Sequence, residues 1–257
     1  MLSLDVTTAI ATVTLDRPEV HNAFNDALIR RITETFLELG SDPAVRVVIL
    51  RANGDSFSAG GDLNWMRRAA GYSAEENLRD ARAGAQMFLT VARCPKPVIA
   101  RVHARALGGG SGLVACCDMA VAVKDAEFGF PEVRIGLVPG IIGPFVIARI
   151  GIANARECFL TGQRFPAGRA LEIGLVNRVV DDERALDDCV QQWVNELMTA
   201  SPSAIAEAKN LIFNVSNRSI ESVLETAALS ISNARSSPEG KAGVEAFLAR
   251  EKPPWVQ

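Results

Sequence analysis

The chain has 257 residues, long for one domain and short for two at about 150 residues each, which predicts one large domain with an appendage. Hydrophobic residues make up 48% and charged residues 22%, the balance of an ordered globular chain, so disorder is excluded as the dominant state. A net charge of −3 leaves no basic excess to meet a phosphate backbone, which argues against nucleic-acid binding.

The first fifty residues read as a hairpin, a helix and a strand. Leu2 to Val6 and Ile10 to Leu15 are apolar and β-branched around a Thr-Thr-Ala turn, and Arg17-Pro18-Glu19 breaks the pattern. Between Asn25 and Leu39, the 3–4 spacing of Leu28, Ile32, Phe36 and Leu39 predicts an amphipathic helix. Asp42-Pro43 ends it, and Val45 to Leu50 has the apolar character of a buried strand. A second cycle follows: a small-residue turn at Ser58–Asp62, a short helix from Asp62 to Ala70, and a helix from Ala74 to Ala92. In that last helix Leu78, Ala81, Ala85, Phe88 and Leu89 share one side. Pro95 and Pro97 lead into a strand at Val98 to Val102. Gly108-Gly109-Gly110 then opens an apolar helix to about Cys117, followed by a strand at Met119 to Val123.

This strand–helix alternation predicts an α/β fold with crossover connections, and short strands at intervals also suit successive turns of a spiral. From Pro202 onward the strand signal is gone, and three helical patterns remain: Ser203 to Asn214, Ile220 to Ala234 and Ser237 to Ala249. A tail of this size buries little surface alone, so it is expected to pack on the body or on another subunit. No run of about 18 apolar residues is present, which predicts no membrane span. The first residues lack the basic and apolar regions of a signal peptide. Cys94, Cys116, Cys117, Cys158 and Cys189 are scattered, with no C-x-x-C pair. They predict reduced thiols in the cytoplasm, without a disulfide framework or a zinc site.

Three segments carry potential chemistry. Phe57-Ser58-Ala59-Gly60-Gly61-Asp62-Leu63 and Ala106 to Leu113 are both small-residue turns into helices. Such turns either pack a helix closely on a strand or expose backbone N–H groups to negative charge. Side by side, they would each aim one N–H at a single oxygen, the arrangement of an oxyanion hole. The third segment is Phe128-Gly129-Phe130-Pro131-Glu132-Val133. A carboxylate in that apolar stretch is either a solvated turn acid or a buried group with a raised pKa, able to exchange protons near neutrality.

Competing motifs are weaker. Gly110 to Ala115 fits the relaxed dinucleotide pattern G-x-G-x-x-A, which keeps an NAD(P)-dependent dehydrogenase as an alternative, although Asp125 falls short of the usual spacing. Ser111 and His103 could form a dyad but have no orienting acid near them in sequence. Cys116 and Cys117 read as small core hydrophobes and Asp118 as a hydrogen-bonding structural acid.

In order along nearly the whole chain, these segments resemble the crotonase (enoyl-CoA hydratase/isomerase) superfamily. Arg17-Pro18-Glu19-Val20-His21-Asn22-Ala23 is similar to its R-P-x-x-x-N-A signature, and Phe57 to Leu63 to its F-[SC]-A-G-x-D-[LI]. Gly108–Gly110, Cys117-Asp118, Phe128 to Glu132, Gly136 to Gly140, Leu160-Thr161-Gly162, Ala170 to Val176 and Glu239 to Trp255 continue the series.

The resemblance implies a ββα spiral core over residues 1–200. It also implies a helical region, 201–257, that builds homotrimers, often paired into homohexamers. The implied substrate is an acyl-CoA thioester, with no metal and no separate cofactor. Its carbonyl would be held by the N–H groups of Gly61 and Gly109, with Glu132 as acid/base. Coenzyme A would lie along Val20, Ala23, Ala59, Gly61, Asp62 and Leu63.

One departure stands out. Many hydratases carry a first glutamate two positions after the glycine run, where this chain has Gly112. A single carboxylate suits a delta3-delta2 enoyl-CoA isomerase or a catalytically silent acyl-CoA binder. Asp62 to Met66 and Glu132 to Leu137 are instead most similar to methylglutaconyl-CoA hydratase, which implies water addition. Glu75 and Glu76 are candidate stand-ins for the missing acid. Gly140-Ile141-Ile142-Gly143-Pro144 also replaces the usual glycine run, which bears on the shape of the acyl pocket.

Overall fold

The computed structural model describes residues 1–256. Strands β1 (Leu2–Thr7) and β2 (Ile10–Leu15) form the expected antiparallel hairpin. Its two loop residues, Thr8 and Ala9, take φ of 50° and 66°, the left-handed pair that matches strand twist across a two-residue loop. Helix α1 (Asp26–Ser41) begins where the Asn25 side chain accepts the Leu28 N–H. It buries Leu28, Ile32, Phe36 and Leu39, the stripe its spacing predicts, together with Ile29 and Thr35.

Three spiral turns follow. Strands β3 (Val47–Ala52) and β4 (Ser56–Ser58) lead to α2 (Leu63–Ala69) and α3 (Ala74–Ala92). Strands β5 (Val98–Val102) and β6 (Arg105–Leu107) lead to α4 (Gly109–Cys116). Strands β7 (Met119–Val123) and β8 (Glu127–Gly129) lead through a 3-10 turn (Pro131–Ile135) to α5 (Gly143–Thr161). Then come β9 (Arg164–Pro166), α6 (Ala167–Glu172), β10 (Arg178–Val180) and α7 (Glu183–Thr199).

Each spiral turn gives its first strand to a six-stranded sheet, ordered β1-β2-β3-β5-β7-β10, and its second to a four-stranded sheet, ordered β4-β6-β8-β9. Pairing is parallel except in β1/β2 and β8/β9. All five residues of β5 are buried, as expected of a strand covered on both faces. Among them is Arg101, whose guanidinium is satisfied by Asp187 and Glu183 of α7.

Two expectations need correction, and one feature went unpredicted. The strand after α1 begins at Val47, not Val45. The core face of α3 is Gly84, Met87, Phe88 and Val91, whereas Leu78 and Leu89 are exposed. The second sheet, whose strands are each three residues long, has too short a period to register in the sequence.

The tail forms α8 (Pro202–Val215), α9 (Ile220–Ser236) and α10 (Pro238–Ala249). It docks on the body. Lys209 Nζ donates to Asp118 Oδ2 at 2.7 Å and to the Lys96 carbonyl at 3.2 Å. Arg93 stacks 3.2 Å over the Phe213 ring, and Arg46 donates to the Trp255 and Ala200 carbonyls. The Glu239 carboxylate accepts from the Ser201 and Ser203 hydroxyls and from Ser203 N–H, tying α10 to the start of α8.

Candidate active site

The carboxyl ends of β4, β6 and β8 lie side by side, since β4 pairs with β6 and β6 with β8. Just past those ends come Gly61, Gly109 and Glu132 respectively. The crevice beyond the carboxyl ends of parallel strands is where α/β folds bind ligands. The first two turns touch: a Cβ on Gly60 would lie 3.6 Å from Gly109 N, and one on Gly108 would lie 3.9 Å from Gly60 Cα. Gly60 and Gly108 take φ of 89° and 52°, conformations in which an L side chain is strained, so the contact depends on glycine at both. Neither Gly61 N–H nor Gly109 N–H has an acceptor among the described residues. Gly109 is the first residue of α4, where the helix leaves its N–H groups unpaired and favours negative charge.

The signature Arg17 to Ala23 holds the first turn in place. Residues 59–62 run beside residues 21–24: Ala59 N–H donates to the His21 carbonyl, Phe24 N–H to Gly60, and Asp62 N–H to Phe24. Arg17 donates to the Ala23 carbonyl and to Asp62 Oδ2 at 2.9 Å. Buried Asn22 ties the β3–β4 connection through the Asn53 and Ser56 carbonyls. Asp62 also caps α2, accepting from the Asn64 and Trp65 N–H groups. Desolvation pushes its pKa up, but these N–H groups and the Arg17 guanidinium outweigh it and hold the carboxylate below the ordinary aspartate range. Ala23, Ala59, Gly61 and Asp62 thereby lie along one pair of extended segments, with Leu63 exposed at its end, Asp62 committed to bracing it and Val20 on the short 3-10 turn before it.

Glu132 stands on the 3-10 turn after β8. Gly108 N–H donates to the Gly129 carbonyl at 2.8 Å, which extends the β6–β8 ladder and sets the glutamate against the second glycine turn. A Cβ on Gly108 would lie 2.9 Å from Glu132 Oε1. The other oxygen, Oε2, is buried and has no hydrogen-bond partner among the described residues. Desolvation raises the Glu132 pKa, opposed only by the residue's own backbone N–H. The site thus offers two free amide donors and a buried carboxylate whose pKa is raised. Around it pack Phe24 and Phe88, on Gly109, and Met66 and Trp65, on Gly61; the sequence placed Phe88 on a helix face and Trp65 and Met66 in a motif, but assigned none of the four to the site.

Other candidate residues serve elsewhere. Ser111 donates to the Ala106 carbonyl, while His103 Nε2 bonds the Gly54 carbonyl, so they form no dyad. A Cβ on Gly110 would fall 2.5 Å from the Ser58 carbonyl oxygen, so this glycine of the dinucleotide-like stretch packs α4 onto β4. Glu76 is held in a capping box with Ser73, and Glu75 is exposed beside Arg79; the hydrogen bonds and ion pairs of both among the described residues are local to the start of α3. Cys116 and Cys117 are buried core residues, and Asp118 accepts from Val98 N–H and Lys209, both as expected.

The enoyl-CoA hydratase/isomerase family matches residues 5–257. A crotonyl-CoA hydratase of Syntrophomonas wolfei is 30% identical over 249 residues, covering 96% of this chain and 94% of that protein. A short-chain-enoyl-CoA hydratase of Clostridium acetobutylicum is 31% identical over 245 residues, 95% and 92% of the two chains. The crystal structure of an enoyl-CoA hydratase from Shewanella pealeana superposes with a TM-score of 0.95 at 34% identity, covering 99% of this chain and 95% of that one. The fold is therefore the crotonase spiral, and the chain belongs to the enoyl-CoA hydratase/isomerase family of enzymes.

Proposed function

We propose that the protein adds water across the 2,3 double bond of a short acyl group carried as a coenzyme A thioester. The observation that carries this reading is the meeting, at three adjacent strand ends, of two acceptor-free amides and one sealed carboxylate oxygen.

In this reading the thioester oxygen accepts from Gly61 N–H and Gly109 N–H. Ionised Glu132 takes a proton from water as the water oxygen bonds to C3. The double-bond electrons shift toward C2 and the carbonyl, and the two amides hold the charge that develops there, each donor worth ~3 kcal/mol. The proton on Glu132 then passes to C2, so one carboxylate serves both halves of the addition. Coenzyme A lies along Val20, Ala23, Ala59, Asp62 and Leu63, and no metal or further cofactor takes part. Likeness of Asp62–Met66 and Glu132–Leu137 to methylglutaconyl-CoA hydratase supports a branched, carboxylated acyl group, and five free, buried cysteines suit a reducing, cytoplasmic location.

A second reading, delta3-delta2 isomerisation, is favoured by the absence of a carboxylate at Gly112, since one base suffices to move a proton between C2 and C4. Product analysis on trans-2-enoyl-CoA, trans-3-enoyl-CoA and a branched carboxylated 2-enoyl-CoA separates the two. Hydration is expected, fastest on the carboxylated ester. Migration of the 3-ene without hydration reverses the ranking, and binding without turnover marks a silent binder.

A further inference from the structure

Gly112 lies one helical turn beyond Gly108, and its N–H donates to the Gly108 carbonyl at 2.9 Å. Gly108 caps α4 and Gly112 sits in the turn that follows, so position 112 lies in the turn next to the glycine that Glu132 abuts. Against the first lies the Glu132 carboxylate. Against the second lies Ile142, whose Cβ is 2.7 Å from where a Cβ on Gly112 would be, with its Cγ2 closer still. Ile142 is fully buried, at the residue preceding α5. Its neighbour Ile141 is seated in the same way on a glycine of the facing helix, 2.9 Å from a Cβ on Gly84. Two consecutive isoleucines are thus wedged onto glycines of α3 and α4.

We infer that Ile142 holds the site to one acid: its side chain occupies the volume that any side chain on position 112 would need, so no carboxylate from that position can stand beside Glu132. The glycine at 112 and the isoleucine at 142 are then one packing unit, and exchanging either alone breaks it. Gly112→Glu drives a carboxylate into a filled core, whereas Ile142→Gly leaves a hole. Exchanged together, the two changes offset each other, and the new acid faces the site. Glu132 is unaltered in all three variants. The inference rests on the single-glutamate reading of the site.

The test is thermal melting plus the pH profile of hydration for Gly112→Glu, Ile142→Gly and the double variant, with Ile142→Ala as a milder opening. Each single variant should melt below the parent. The double should melt above the sum of the two losses, and its pH profile alone should gain a second ionisation limb. The inference is overturned if Gly112→Glu melts like the parent, if the losses simply add, or if the double variant keeps the one-limb profile. Failure of the underlying reading looks different: Glu132→Gln would then retain hydration whatever the melting data show.

Discussion

Glu132 is costly to the fold, and its cost has a sign that can be measured. Burial raises its pKa in the folded state above the ordinary glutamate value near 4.3, so between those two values the folded chain holds the extra proton. The stability it contributes is present below the unfolded pKa and lost as pH rises through the folded one. Glu132→Gln keeps the shape and removes the charge. It is therefore expected to melt above the parent at pH 7, with the gap closing toward pH ~4. Equal melting temperatures at pH 7 would mean the carboxylate is solvated. Asp62 behaves in the opposite sense: its folded pKa is depressed, so its contribution holds above the ordinary aspartate pKa and fades as pH falls through the folded value.

Among the elements, α8 joins the body through the Lys209–Asp118 ion pair and the Arg93–Phe213 stack. Lys209 and Asp118 are largely shielded, and Asp118 also fixes the start of β5 through Val98 N–H. Lys209→Met keeps the apolar stem and deletes the charge. The expected loss is about 1–3 kcal/mol, read as a lower melting temperature together with faster amide exchange in α8. Unchanged exchange there would assign the docking to Arg93 on Phe213 and to Arg46 instead.

The elements also show what a sequence discloses. The α1 stripe was legible because its apolar residues keep strict 3–4 spacing and no glycine competes with them. The face of α3 was not, because its core side is built around Gly84, which a hydrophobic pattern passes over, while Leu78 and Leu89 stay exposed. The site was legible as motifs: residue types marked two glycine turns and Glu132, and the resemblance singled out Gly61 and Gly109 within the turns, but three-residue strands hold them together, and those leave no period. Ile142 was legible only as a departure from a glycine run. Its seat on Gly112 is a contact between α4 and the residue before α5, thirty positions apart in the chain.

For the whole molecule, the tail leaves apolar side chains in water. Ile212 (66%), Ile220 (72%), Phe247 (80%) and Leu248 (75%) lie on α8, the start of α9 and α10. Exposure of this extent is what an interaction surface would show, and we propose that residues 201–257 build the trimers or hexamers that the resemblance implies. Sedimentation at micromolar concentration is expected to give three or six chains per particle, and Phe247→Asp with Leu248→Asp to shift it toward one. A parent that sediments as a single chain removes that assembly.

The spiral exists, in this account, to bring two amides and one acid to a single carbonyl. Turnover of a 2-enoyl-CoA by Glu132→Gln, measured beside its affinity for the same ester, tests that directly. Affinity should hold while hydration falls by about a hundredfold or more, the usual loss for a general acid/base. Parental turnover in that variant would contradict the account.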